Sequence, residues 1–367
     1  MKILWFSANS ASDLCFTSQQ ELAFGLMNNG YEVQFINKDT ADLHSKFDWQ
    51  HVPIKSSSIA GLRSSSLAKG MANWLRQQTL DQDTIAVVDW RLITKLYSSL
   101  THAGIPWILL DRSPPADTGI LSKFQWPIWR KAWRLVANSN QASGTVVSAQ
   151  HQRYVIDSLK VPSEKFTILP AGVDLSKFSP RKESSRLALV YHGRLDKHRG
   201  ILALPMLVRK CISSGLDVSL KLIGDGDCFD ELQAIAQDMP SISVHSKIST
   251  TEVAKYLQES TIGILPMPGI DVWTISSPLK LSEYCACGLL IFGIDHQGHK
   301  FGNSDTPWIK LVPQHDFHDE GMKWLAELTT TDIETLSISA RKFAEVNLGW
   351  EHSVNSLVRL AQSIIES

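Results

Sequence analysis

No stretch of apolar residues in this chain approaches the roughly 20 needed to span a bilayer, and neither sign of charge dominates. Lysine plus arginine number 36 against 37 aspartate plus glutamate, a net of −1, so no overall field draws the chain toward nucleic acid. Cysteine is scarce: five, scattered and odd in number, which argues against a disulfide framework and for a reducing compartment. Cys285 and Cys287 form a C-x-C without a second pair; two small core residues are expected there, and no metal. The opening Met1-Lys2-Ile3-Leu4-Trp5-Phe6 turns polar at Ser7. That run is too short for a signal peptide, and a cytoplasmic location is expected. Glycine is missing where one enzyme class needs it. After a first strand over residues 2–7, the loop Ala8-Asn9-Ser10-Ala11-Ser12-Asp13 contains none, whereas a dinucleotide-binding loop carries G-x-G-x-x-G. The absence argues strongly against a nicotinamide enzyme.

What is present is an ordinary globular composition, 43% apolar and 20% charged over 367 residues, long enough for two domains. The spacing predicts a helix over 18–28, a strand over 31–36, a helix near 67–78, a strand over 84–88, a helix over 92–103 and a strand over 106–110. A strand at 134–137, a helix near 141–149 and a strand at 166–170 complete a first α/β set. Polar Pro180-Arg181-Lys182-Glu183-Ser184-Ser185 reads as a linker. A second set follows, with strands at 187–192, 218–223, 242–244, 262–265 and 289–294, helices between them, and closing helices near 317–327, 331–346 and 350–366. The fold class is therefore α/β, with two doubly wound parallel sheets.

Lys123 to Arg134 holds Trp126, Trp129 and Trp133 on one helical stripe beside Lys123, Arg130, Lys131 and Arg134. A basic helix with a tryptophan face predicts peripheral membrane contact; a helix covering the sheet with its tryptophans in the core is the alternative. Asp111-Arg112 follows the 106–110 strand at its carboxyl end, where open α/β sheets place ligands.

Three features of the second half converge. Arg194 and Arg199 flank the loop after the 187–192 strand, and arginines fork onto phosphate oxygens. Ser276-Ser277-Pro278-Leu279-Lys280 predicts a helix start, with Ser277 as N-cap and Pro278 at the first position. Its free amides and Lys280 make an anion site. Glu283, one turn further in, is an acceptor for sugar hydroxyls, and Gly288 stops the helix. Together these describe a site for a nucleotide diphospho-sugar that needs no metal, because the cations are side chains. Gly224-Asp225-Gly226 lacks a third glycine and carries charge that repels phosphate, so it reads as a turn.

With these residues the chain resembles the family 4 retaining glycosyltransferases of GT-B fold. The matching pieces are Gly193-Arg194-Leu195 with Arg199-Gly200, Leu222 to Gly226, Ser277 to Tyr284 with Ala286 and Gly288, Ile168 to Asp174 with Phe178 and Pro180, and Trp350-Glu351. The resemblance implies two Rossmann-like domains facing a cleft: an acceptor domain over 1–180, a donor domain over 186–345, and a helix over 346–367 crossing back to the first. It implies transfer of a sugar from a nucleotide diphospho-sugar, a co-substrate rather than a cofactor, to a hydroxyl of a saccharide or lipid-linked saccharide. Polysaccharide or glycolipid assembly is the expected setting, and the inner face of the cell membrane the expected place. Arg194 and Arg199 would bind the diphosphate, Ser276 to Lys280 and Glu283 the rest of the nucleotide, and Asn9, Ser10, Ala11 and Ser12 the acceptor. The first carboxylate of the family's paired-glutamate motif falls on Ile275, and its usual first-domain histidine is replaced by Asp111-Arg112. Asp111, Arg112 and Arg194 are therefore the expected catalytic residues. A sugar-nucleotide epimerase and a non-catalytic nucleotide-sugar-binding protein are the competing readings.

Overall fold

The computed structural model describes residues 1–13, 16–59, 62–115, 123–182 and 186–366; Glu183, Ser184 and Ser185 of the expected linker lie outside them. The chain divides into two compact units, Met1–Pro170 with Trp350–Ser367, and Ala171–Gly349, each with its own apolar core.

The first unit is a parallel seven-stranded sheet in the order β3-β2-β1-β4-β5-β6-β7. Its strands are β1 (Lys2–Phe6), β2 (Glu32–Asn37), β3 (Gln50–Pro53), β4 (Thr84–Asp89), β5 (Trp107–Leu110), β6 (Ala142–Val146) and β7 (Phe166–Ile168). Ile3, Leu4, Trp5 and Phe6 are all fully buried, as in a central parallel strand covered on both faces. The covering helices are α1 (Thr17–Asn28), α2 (Ala41–His44), α3 (Arg63–Leu75), α4 (Trp90–His102), α5 (Gln125–Ala137) and α6 (Ala149–Leu159). The strand order reverses between β1 and β4, so the loops after those two strands meet at the point where such sheets take ligands.

The second unit is a parallel six-stranded sheet in the order β10-β9-β8-β11-β12-β13. Its strands are β8 (Leu187–His192), β9 (Val218–Ile223), β10 (Ile242–His245), β11 (Ile262–Leu265), β12 (Leu290–Ile294) and β13 (Ile309–Val312). Its helices are α7 (Ala203–Ser213), α8 (Phe229–Asp238), α9 (Thr250–Gln258), α10 (Asp271–Thr274), α11 (Leu279–Ala286), α12 (Phe317–Glu327) and α13 (Thr330–Asn347). The last helix, α14 (Trp350–Glu366), belongs to the first unit.

Four expectations need correction. Residues 134–137 are the end of α5, and residues 142–146, expected as helix, are β6. Gly144 of β6 faces the Trp133 ring so closely that an added Cβ would lie 2.3 Å from it; the strand is made of small residues to accept the indole. Residues 171–180 fold with the second unit rather than the first, because Val173 N–H donates to Leu348 O at 2.8 Å and Ala171 N–H to Ser277 Oγ at 2.9 Å. Two of the three tryptophans of the stripe are core. Trp129 and Trp133 are 0% exposed, so these two do not form the membrane-facing surface expected of them, while Trp126 is half-buried. Among the described residues no helix is long and apolar enough to cross a membrane.

Candidate active site

The second unit assembles its site from the loop after β8 and the start of α11. Gly193 closes β8 with φ at +122°, a conformation that suits glycine. Gly224 packs against it: an added Cβ there would lie 1.8 Å from Gly193 O. Leu195 N–H donates to Asp225 O at 3.0 Å. The Gly224–Gly226 segment is thus a turn that buttresses the Gly193–Leu195 loop.

In that loop Asp196 is the hub. Arg194 donates to it twice, from Nε at 3.0 Å and Nη2 at 2.8 Å, and Arg199 Nε lies 3.7 Å away. Burial pushes the Asp196 carboxyl up, but the Arg194 hydrogen bonds and charge outweigh it and hold the group below the usual carboxylate range. Arg194 is about half exposed. Arg199 is largely buried, its guanidinium 4.5 Å from the centre of the Trp273 ring; His198 stacks near that ring as well.

Lys280 comes up beneath this loop. Its Nζ lies 5.0 Å from the centre of the Tyr191 ring, and a Cβ on Gly193 would stand 3.3 Å from it. Among the described residues the amine has no hydrogen-bond or ion-pair partner. Burial first, then the charge of Arg199, pulls it down to about 7, with Glu283 pulling the other way. Burial likewise pushes the Tyr191 hydroxyl up to about 12; that hydroxyl donates to Arg194 O at 3.0 Å. Glu283 is 7% exposed, and its Oε2 lies 3.1 Å from His192 Nε2. Both atoms lack a hydrogen bond among the described residues.

The helix start differs from the expectation. Pro278 is itself the N-cap of α11, no side chain caps the helix, and Ser277 Oγ accepts from Ala171 N–H instead. Ser276 Oγ donates to Trp273 O at 2.7 Å. The N-terminus of α11 is therefore left without a side-chain cap beside Lys280. Gly288 does end the helix, with φ at +68°. Ile275 is a buried apolar side chain, 6% exposed, so it supplies no carboxylate. Sequence reasoning passed over Tyr191, His192, His198 and the ring of Trp273. Their signal was position: the last residues of a parallel strand and the loops beyond it.

In the first unit, Asp111 is 0% exposed. Its Oδ2 accepts from Trp129 Nε1 at 2.6 Å and Trp133 Nε1 at 2.8 Å, with His151 Nε2 3.4 Å away. A carboxylate enclosed this way ties α5 to the end of β5. Arg112 donates to Leu169 O at 2.5 Å; burial pulls its guanidinium down to about 10, against the pull of Asp111. Asn9 and Ser10, expected to face an acceptor, are buried at 7% and 6% exposed. Asn9 Oδ1 accepts from Arg91 Nη2 at 2.7 Å, joining the loops after β1 and β4. Ser10 Oγ and Ala11 N–H donate to Asp39 at 2.6 and 2.7 Å. Asp39 also accepts from Asn37 Nδ2 and His44 Nε2, at 2.8 and 3.0 Å. Ser12 alone of the four is exposed, with Ala11 half-buried.

With the geometry in hand, the chain matches a family model described as Glycosyltransferase Family 4 over residues 17–177 and one described as Glycosyl transferases group 1 over residues 186–326. It is similar to a solved glycosyltransferase from Rickettsia africae, with a TM-score of 0.77 at 14% identity, covering 100% of this chain and 99% of that one. Sucrose-phosphate synthase from Thermosynechococcus elongatus gives 0.76 at 13%, over 100% and 99% of the two chains. HepE from Anabaena, in complex with UDP-glucose, gives 0.76 at 12%, over 99% and 100%. At these identities the likeness establishes the GT-B fold and nothing finer. No curated protein matches the chain in sequence.

Proposed function

Because this chain belongs to the glycosyltransferases of group 1 and Family 4, we propose that it transfers a sugar, with retention at the anomeric carbon, from a nucleotide diphospho-sugar to a saccharide hydroxyl. Assembly of a polysaccharide or glycolipid is the setting this reading implies. The observation that carries it is the cation pair Arg199 and Lys280 beside the α11 N-terminus, which no side chain caps. Breaking a sugar–phosphate bond develops negative charge on the leaving diphosphate, and fixed cations aimed there stabilise the transition state more than the ground state. Arg199, already braced on Trp273, forks onto the diphosphate; Lys280 meets it from the helix side. Arg194 joins them by turning part of its fork from Asp196. Glu283, whose Oε2 makes no hydrogen bond among the described residues, accepts from a ribose hydroxyl. Ser12 and Ala11 offer the surface for the acceptor, held from beneath by Asp39. Asp111 acts by placing Arg112 at the end of β5 rather than by touching the sugar.

The test is a calorimetric screen of the full chain against uridine and guanosine diphospho-sugars. Binding of one class, weakened at least tenfold in Lys280→Met, supports the reading. Equal binding by wild type and variant would remove the diphosphate from this site. HepE was solved with UDP-glucose, which makes the uridine class the first to try.

A further inference from the structure

Three neighbouring helices on the first sheet carry only positive charge. α3 and α5 each pack on α4, and none of the three contains an aspartate or glutamate. The acid that caps α4, Asp89, is buried and taken by Arg91. Arg63 and Lys69 stand exposed on α3, and Lys95 on α4. The pattern is strongest on α5. Its inner side carries Trp129 and Trp133 into the core. On its outer side and in the turn that leads into it, Lys123, Arg130, Lys131 and Arg134 are exposed, and so are apolar Phe124, Pro127 and Ile128. Phe124 is 69% exposed and Ile128 38%; four residues apart, they share one side of the helix. Half-buried Trp126 backs them, packed edge-on against Trp129 and carrying the Arg130 guanidinium 5.8 Å from its ring centre. A chain of net charge −1 thus keeps one face for positive charge and apolar side chains.

An ordinary solvated helix face mixes the two signs of charge and turns its large apolar side chains inward. This face does neither. Leu62 and Phe124 occupy the N-cap positions of α3 and α5, where Ser, Thr, Asn or Asp would satisfy a free amide, and Leu62 is 54% exposed. Because the strands are parallel, the helices that return between them begin at the carboxyl edge of the sheet. Both apolar tips therefore lie toward the edge that holds the loops after β1 and β4. Each basic residue near an anionic leaflet adds up to about fivefold in affinity. Aromatic and branched side chains beside the charges enter the boundary between headgroups and acyl chains. A nucleic-acid backbone would use the charges and leave Phe124 and Ile128 in water. A second copy of the face would meet it with like charge. We infer that the outer side of α5 docks on an anionic lipid surface, with Phe124 and Ile128 inserted and Lys123, Arg130, Lys131 and Arg134 among the headgroups. The docking surface is the side of the helix opposite Trp129 and Trp133, and it does not depend on the donor site. It brings the edge that holds Ser12 toward the bilayer, where a lipid-linked acceptor presents its sugar.

Flotation of the full chain with vesicles tests the docking. The probes are vesicles of phosphatidylcholine alone and of phosphatidylcholine mixed with phosphatidylglycerol in equal amounts. The chain is expected to float with the anionic vesicles in about 0.1 M salt and not with the neutral ones. It is released in about 1 M salt, where the Debye length falls to roughly 3 Å. Arg130→Gln with Lys131→Gln weakens the binding at least about tenfold. Phe124→Ser with Ile128→Ser also weakens it at least about tenfold, with no change of charge. All four side chains are exposed, so neither pair disturbs the core. Lys247→Gln with Lys255→Gln, which removes two exposed charges of the second unit, keeps the binding. No flotation with anionic vesicles, or flotation undiminished in Phe124→Ser with Ile128→Ser, overturns the inference. Equal weakening by the Lys247 and Lys255 pair overturns it as well, since bulk charge would then be the cause. Binding of a DNA duplex, unaffected by Phe124→Ser with Ile128→Ser and without any vesicle binding, would give the face to nucleic acid instead.

Discussion

The two loops that follow the first strand of each sheet are built on opposite plans. The loop after β1 is held by Asp39, from the loop after β2, which gathers a hydroxyl, a backbone amide, an amide side chain and an imidazole. Behind it, His44 accepts on Nδ1 from Trp49 Nε1 at 3.0 Å, which fixes the imidazole's proton on Nε2. Around β8, Arg199 leans on an aromatic face, Lys280 lies over the Tyr191 ring, and Glu283 Oε2 and His192 Nε2, 3.1 Å apart, have no hydrogen bond among the described residues. A network satisfied from within holds a shape. The second cluster keeps buried polar atoms that have no hydrogen-bond partner among the described residues. The comparison teaches that the polar groups of the first loop cluster bind one another, whereas those of the second do so only in part.

That contrast can be broken from either side. The largest effect is expected at the unsatisfied site: Arg199→Ala lowers kcat/KM for the donor by about 10²–10³, as removal of one preorganised transition-state donor does, while circular dichroism stays unchanged. A drop below threefold would mean that the cation is not spent on the leaving group. At the brace the expected effect is on stability instead. Asp39→Ala strands four donors around a buried position and costs about 2–4 kcal/mol, read in urea unfolding followed by a first-unit tryptophan. Unchanged unfolding would show that the network is ornamental. The smallest effect is one of pH. His51 stacks flat on His44, ring centres 3.8 Å apart, and burial, followed by the neighbouring His44, pulls it down to about 4; burial also lowers His44. Both histidines are thus harder to protonate folded than unfolded. Their contribution is complete above pH 6.5 and is lost as the pH falls from there toward 4. The melting temperature should fall over that window in wild type and fall less in His51→Gln; identical slopes would exclude the stacked pair as the cause.

Much of the second unit was legible because its signals are local. The apolar run 187–192 ends at Gly193, the Gly224–Gly226 turn sits at the next strand's end, and Gly288 stops α11; each depends only on neighbours in sequence. What escaped depends on distant partners. Ser277 has the chemistry of an N-cap, but its hydroxyl is taken by Ala171, 106 residues away, and Pro278 takes the cap position. Leu135-Val136-Ala137 has the look of a short strand, yet it continues a helix whose Trp133 reaches Asp111 and fills the space over Gly144. The tryptophan stripe of a basic helix reads as interfacial until two of its indole N–H groups are seen to have a buried carboxylate waiting. The Asp39 brace was unreadable for the same reason: Ser10, Asn37, Asp39 and His44 are ordinary polar residues until β1 and β2 lie side by side.

One feature of the topology bears on how the chain is made. The first unit is not continuous: α14 returns to it after the whole of the second unit. The backbone of Gly25 in α1 lies so close to Val354 that a Cβ there would stand 2.1 Å from it. Domains generally fold as they emerge during synthesis, the N-terminal one first. Here every residue of Ala171–Gly349 leaves the ribosome before α14 does. The unit that begins first is thus completed last, and until then the face of α1 that receives α14 is bare apolar surface, the kind that nascent-chain chaperones hold.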